Sequence, residues 1–228
     1  MSEALGFFGK LPAHGDFIDR NLPRSFLAAW DQWLQRSLVS SREWLGDPWL
    51  EIYLTSPIWR FAISCGALDQ GAWAGIMMPS VDAVGRYFPL TIATAVPPNN
   101  NLFELLSSAD SWFAALETAA LSALQNHGPA EQLSQALVLV PRLPVLASTA
   151  NTGLSALDTY RGVRLARGAD TATHYRQLLH AELASQQSYS LWHCQGSQHM
   201  SPTTLAVPGL PTAEHYTAFL DGHWGARH

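Results

Sequence analysis

Between residues 22 and 45 the apolar side chains fall three, four or seven positions apart. Phe26, Leu27, Trp30, Trp33, Leu34 and Leu38 make one stripe, the spacing of a helix that buries a single face. Pro23 suits the first turn of that helix, and Gly46, Asp47 and Pro48 stop it. Short apolar runs bounded by Gly, Pro or Asp predict strands at 5–9, 49–55, 59–65, 73–79 and 90–96. A second helical pattern runs from Leu102 to Leu124, with Leu105, Leu106, Trp112, Phe113, Leu116 and Ala120 on one broad face. Further on, 130–140 predicts a helix, or a helix leading into a strand. Residues 141–172 predict loops, 173–186 a helix, 188–194 a strand and 212–220 a terminal helix.

Consecutive strands joined by short connections pair antiparallel. There is no internal repeat and no low-complexity linker, so the expectation is one α/β domain over 1–228. Its sheet is mixed but largely antiparallel, with helices flanking it.

Composition narrows the classes of function. Hydrophobic residues make up 47% of the 228 positions and charged ones 14%, which predicts a folded chain with a sizeable core. The net charge of −5 argues against nucleic acid as the main ligand, because phosphate binding needs a concentrated basic footprint. Arg161, Arg164 and Arg167 come nearest to one and read as a solvated face. The first residues lack a basic, apolar leader, and no run approaches the ~20 apolar residues that span a bilayer. A soluble, intracellular protein without membrane insertion is expected, with Cys65 and Cys194 as free thiols.

The familiar chemical signatures fail one by one. Ala4 stands where a Walker phosphate loop needs glycine, and Leu157 spoils a nucleophile elbow at 153–157. No two histidines are spaced to share a metal on a helix face. No metal, cofactor or catalytic residue is therefore assigned.

Two segments stand out instead. The first, GKLPAHGDF at 9–17, packs Lys10, His14 and Asp16 between Gly9, Pro12 and Gly15; Lys10 is the chain's single lysine against twelve arginines. In the second, WAGIMMPSVDAVGRYFPL at 73–90, Asp82 and Arg86 are four apart, the separation of an ion pair on a helical turn. Three readings are open for these residues. Lys10, His14, Asp16, Ser80, Asp82 and Arg86 form a polar cluster that orders two loops and offers them to a partner. Alternatively His14, Asp16 and Asp82 serve a hydrolase or transferase, or Lys10 and Arg86 anchor an anion or phosphopeptide.

Taken together, the two segments resemble the TagF family of type VI secretion accessory proteins. The matching residues run from Gly9 to Phe17, then Trp73, Gly75, Met78, Pro79, Ser80, Asp82, Gly85, Arg86, Phe88, Pro89 and Leu90. The likeness covers roughly the first hundred residues. Later, Ser190-Leu191-Trp192 is similar to a Ser-Leu-Trp-Trp stretch of the family, with His193 in the last place. The resemblance implies a cytoplasmic, non-enzymatic repressor of assembly or firing. It implies contact with a forkhead-associated scaffold protein, in parallel with a kinase and phosphatase switch. Some relatives carry a fused phosphatase domain, which this chain has no room for, so action by binding is expected. Oligomeric state is left open.

Overall fold

The computed structural model describes residues 4–97, 100–146, 170–186 and 188–225. In chain order the elements are β1 (Gly6–Gly9), β2 (Ile18–Arg20), α1 (Arg24–Leu45), α2 (Trp49–Leu54), β3 (Trp59–Ile63), β4 (Trp73–Met78) and β5 (Leu90–Ala95). They continue with α3 (Leu102–Ser108), α4 (Asp110–Gln125), α5 (Ala130–Val138), α6 (Thr171–Gln186), β6 (Tyr189–Cys194), β7 (Thr203–Pro208) and α7 (Tyr216–Asp221). The seven strands form one open sheet in the order β2-β1-β5-β4-β3-β6-β7. All six pairings are antiparallel, in keeping with the α/β architecture expected from the pattern.

Side chains alternate across a strand, and here both faces are covered. On one face Ala62, Ala74, Ile76, Ile92 and Leu191 pack under α3, α4 and α5. On the other, Phe61, Ile63, Trp73, Met77 and Trp192 pack under α1, α2 and α7. That is why β3 and β4 are buried at every position, and β5 at all but its last, although they are antiparallel. The edge strand β7 alternates between half-buried and exposed instead.

The aromatic load fills this core. Seven of the nine tryptophans are buried, which leaves few of these rings at the surface. Six of the seven donate their indole N–H: Trp30 to Thr91 at 2.8 Å, Trp33 to the Pro211 carbonyl at 2.7 Å and Trp49 to Ser41 at 2.9 Å. Trp59 donates to the Phe219 carbonyl at 3.0 Å, Trp73 to Asp69 at 2.8 Å and Trp192 to Ser190 at 2.9 Å. A buried donor left unbonded costs about 1–3 kcal/mol, which is why indoles in a core find partners.

Several boundaries differ from the pattern. The expected strand at 49–55 is the helix α2. Its buried Trp49 and Tyr53 lie four apart, a separation that fits one helical turn and two strand repeats equally. The helix expected over 102–124 breaks at Ala109 into α3 and α4. Asn101 starts α3 by accepting from the Phe103 and Glu104 amides. Residues 130–138 are helix alone, and the terminal helix occupies the last part of its expected span. The strands β2 and β7 are too short or too polar at alternate positions for the apolar pattern to predict them. Of the loops expected at 141–172, residues 147–169 lie outside the described residues, and with them Arg161, Arg164 and Arg167. Cys65 and Cys194 are free thiols, the second buried.

Candidate functional site

The sheet's topology brings the two marked segments to one end. Strand β1 runs antiparallel to β5, so the loop leaving β1 meets the loop entering β5. Gly9 makes the closeness possible: its φ is +137°, and a Cβ there would sit 2.1 Å from the Pro89 carbonyl oxygen. The next residue, Lys10, turns inward.

The centre of the cluster is Asp82, whose side chain is fully buried, as is all but 5% of that of Lys10. Lys10 Nζ donates to Asp82 Oδ2 at 2.5 Å, and Arg86 Nε donates to the same oxygen at 2.7 Å. Oδ1 accepts from the Arg86 amide at 2.8 Å and the Val84 amide at 3.1 Å. Burial alone would raise the Asp82 carboxyl. Donation from Lys10, from the Arg86 amide and guanidinium and from the Val84 amide outweighs it, holding the group well below the usual carboxylate range. With four donors its lone pairs are engaged, which leaves it poorly placed to accept a proton from a substrate.

The Asp82–Arg86 ion pair expected from the spacing is made, but in a turn. The Asp82 amide donates to the Arg86 carbonyl at 3.0 Å, Val81 bridges Tyr87, and Gly85 takes φ +84° at the tip. Arg86 Nη2 reaches across to the Gly15 carbonyl, and the Ala83 amide donates to the His14 carbonyl at 2.8 Å. Ser80 closes the join from behind, donating its hydroxyl to the Lys10 carbonyl at 2.7 Å.

His14 and Asp16 do not form a pair. His14 Nε2 accepts from the Ala130 amide at 2.9 Å, so its proton sits on Nδ1 and the ring fastens the loop to the start of α5. Asp16 is 93% exposed, accepts from the Phe17 amide at 3.2 Å, and lies 4.0 Å from Arg86 Nη2. Lys10, Ser80, Asp82 and Arg86 are thus brought together, His14 anchors the loop elsewhere, and Asp16 stays at its rim.

Three participants escaped the sequence reading. Tyr53 donates its hydroxyl to the Ser80 carbonyl at 3.1 Å and accepts from the Ser80 amide at 3.0 Å; burial pushes the phenol well above its ordinary value, so it keeps its proton. Its segment looked like a strand, which hid the link. Phe17 lies 4.4 Å from Lys10 Nζ, over the ring face, and joins Phe8 and Phe88 in an aromatic triplet. Ala130 contributes through its backbone, which no side-chain pattern reveals. Exposed at the surface over this bracing are Phe17, Val84, Asp16 and Arg86.

A second charged cluster lies mid-sheet. Arg60 on β3 donates from Nε and Nη2 to the Glu117 carboxylate at 2.6 and 3.2 Å, and from Nη1 to Asp110 at 2.6 Å. It ties β3 to α4, away from the loops. Trp192 is buried in the core on one side of β6, while His193 on the other side bonds Thr204 at 2.9 Å.

A helix-flanked antiparallel sheet with its marked loops locked by a saturated carboxylate defines a scaffold that holds a fixed loop surface. Residues 6–140 match the family profile of the TagF N-terminal domain, type VI secretion system-associated, and the chain belongs to that family. A crystal structure of PA0076 from Pseudomonas aeruginosa PAO1 is similar throughout, with 36% identity and a TM-score of 0.82. That likeness covers 99% of this chain and 97% of the other. A search of curated proteins gives no match. No helix among the described residues is long and apolar enough to cross a membrane.

Proposed function

We propose that this type VI secretion-associated protein is a cytoplasmic, post-translational repressor of apparatus assembly or firing, and that it acts by binding alone. Its partner in this reading is the forkhead-associated scaffold protein of the secretion system, one face of which it covers. The observation that supports the reading is the end of the sheet where the loops meet. Phe17 and Val84 stand exposed beside Asp16 and Arg86, and the buried Lys10, Ser80 and Asp82 bond across the two loops that carry them. Such preorganisation favours binding, since little order is lost when a partner docks. Catalysis by His14, Asp16 and Asp82 finds no support, because the first is bonded to α5, the second faces solvent and the third is saturated. Lys10 and Arg86 already neutralise Asp82, which weakens them as anion anchors.

The test is co-purification with the scaffold protein at mild salt. Val84→Asp should abolish capture while leaving the melting temperature unchanged, since Val84 is 68% exposed. No capture by the unmodified protein, or equal capture by the variant, defeats the reading.

A further inference from the structure

The sheet ends differently at its two edges. Strand β2 has three residues, of which Asp19 and Arg20 are exposed, and Arg20 pairs with Glu131. Shortness and charge of that kind keep other chains from adding to an edge. The opposite edge, β7, runs six residues as TTLAVP, without a charge or a bulge, between Pro202 and its closing Pro208. Its outward backbone groups can be located. The Tyr189 carbonyl faces β3, accepting from the Ser64 amide at 2.9 Å, so Ser190 and Trp192 turn their backbone groups to β7. Their partners there are Val207 and Leu205. Direction alternates along an antiparallel ladder, which leaves Thr204 and Ala206 aimed away from the sheet. Both residues are exposed, and neither backbone amide meets an acceptor among the described residues.

The backbone of these two residues offers two donors and two acceptors in a fixed order. The same strand turned end for end about Leu205 matches them: each Thr204 faces the Ala206 position of a second copy, and four bonds close the join. Identical edges without charge do not repel one another. An apolar groove lies beside this edge. On the face that carries α3 and α6, a cavity of about 660 Å³ is lined by Phe103, Leu106, Leu179, Leu183 and Leu191, and its floor runs out at Thr204 and Ala206. Leu179 stands 48% exposed there, while Asp110 and Arg176 on the rim are already paired with Arg60 and Glu104. A lone foreign strand would extend the floor and nothing more. A second copy also brings its own groove, on the same face, because a two-fold axis through Leu205 keeps like faces together. We infer that β7 is a dimerisation edge, which pairs antiparallel with β7 of a second copy of this chain to make one continuous sheet. The marked loops belong to β1 and β5, towards the other edge, so the join stands or falls independently of the docking role.

The experiment is sedimentation equilibrium of the full chain from about 1 µM to about 1 mM, the affinity range of a small interface. A monomer–dimer equilibrium is expected. Ala206→Pro removes an outward amide, at a position where proline takes no bond from the sheet. It should raise the dimer dissociation constant by about tenfold or more, since each dimer loses two bonds. If Ala206→Pro does not fold, a charge exchange decides. Thr204→Lys and Ala206→Glu should each self-associate more weakly than the unmodified chain, because like charges then lie diagonally across the join. Their mixture should associate more tightly than either alone, because the introduced ammonium faces the introduced carboxylate. A chain that stays monomeric to about 1 mM, an Ala206→Pro dimer as tight as the unmodified one, or a mixture no tighter than its components overturns the inference.

Discussion

Two buried cations hold this protein together in different ways. Lys10 and Asp82 are both buried, and they join loops 72 positions apart. Arg60 is equally buried, but its partners Asp110 and Glu117 are 78% and 21% exposed. The first pair is buried on both sides, so Lys10 cannot lose Asp82 without stranding its charge, and Asp82 without Lys10 keeps only the half-exposed Arg86. The second reaches outward, and its guanidinium keeps one carboxylate when the other is removed. Location therefore decides how much a charge pair matters more than the distance within it.

The sharpest way to break the comparison is at the loops. Lys10→Met should cost about 3 kcal/mol, because Asp82 stays buried with Arg86 as its one remaining side-chain donor. Asp82→Asn should lower the melting temperature further still, since it disturbs donors from both loops. Thermal denaturation of both, with the double variant, checks this; their effects should fall short of additive. Arg60→Met should cost about 2 kcal/mol by leaving Glu117 without its bidentate partner. If it proves worse than Lys10→Met, the contrast is reversed.

Acid titration sharpens the same point. The Asp82 carboxyl is held below its unfolded value of about 4. Its contribution is therefore complete above that pH and is lost as pH falls toward the folded value. Urea unfolding from about pH 5 down to about pH 2 should show a loss of stability that steepens below about pH 4 and that Asp82→Asn flattens. Smaller effects belong to the surface. Asp110→Ala should cost about 0.5 kcal/mol, as Arg60 keeps Glu117. Arg20→Ala, which removes a pair exposed at 50% and 64%, should stay within about 0.5 kcal/mol by chemical denaturation.

Much of this molecule was legible in its pattern of residues. The stripe from Phe26 to Leu38, the apolar runs of β3 to β5 and the stop at Gly46 specify their elements by period and punctuation alone, because those signals are local. The loop motifs also marked Lys10, Ser80, Asp82 and Arg86 as a group. The rest depended on position in space. Trp49 and Tyr53 satisfy two periods at once, and packing beneath the sheet chose helix for them. His14 and Asp16 look like neighbours with a shared purpose, yet the fold aims one at the start of α5 and leaves the other at the rim. The bonds from Ala130 to His14 and from Lys10 to Asp82 join residues far apart in the chain. Periodicity encodes which face of an element is buried, whereas these contacts exist only after the faces have met, and so the tertiary structure alone decided them.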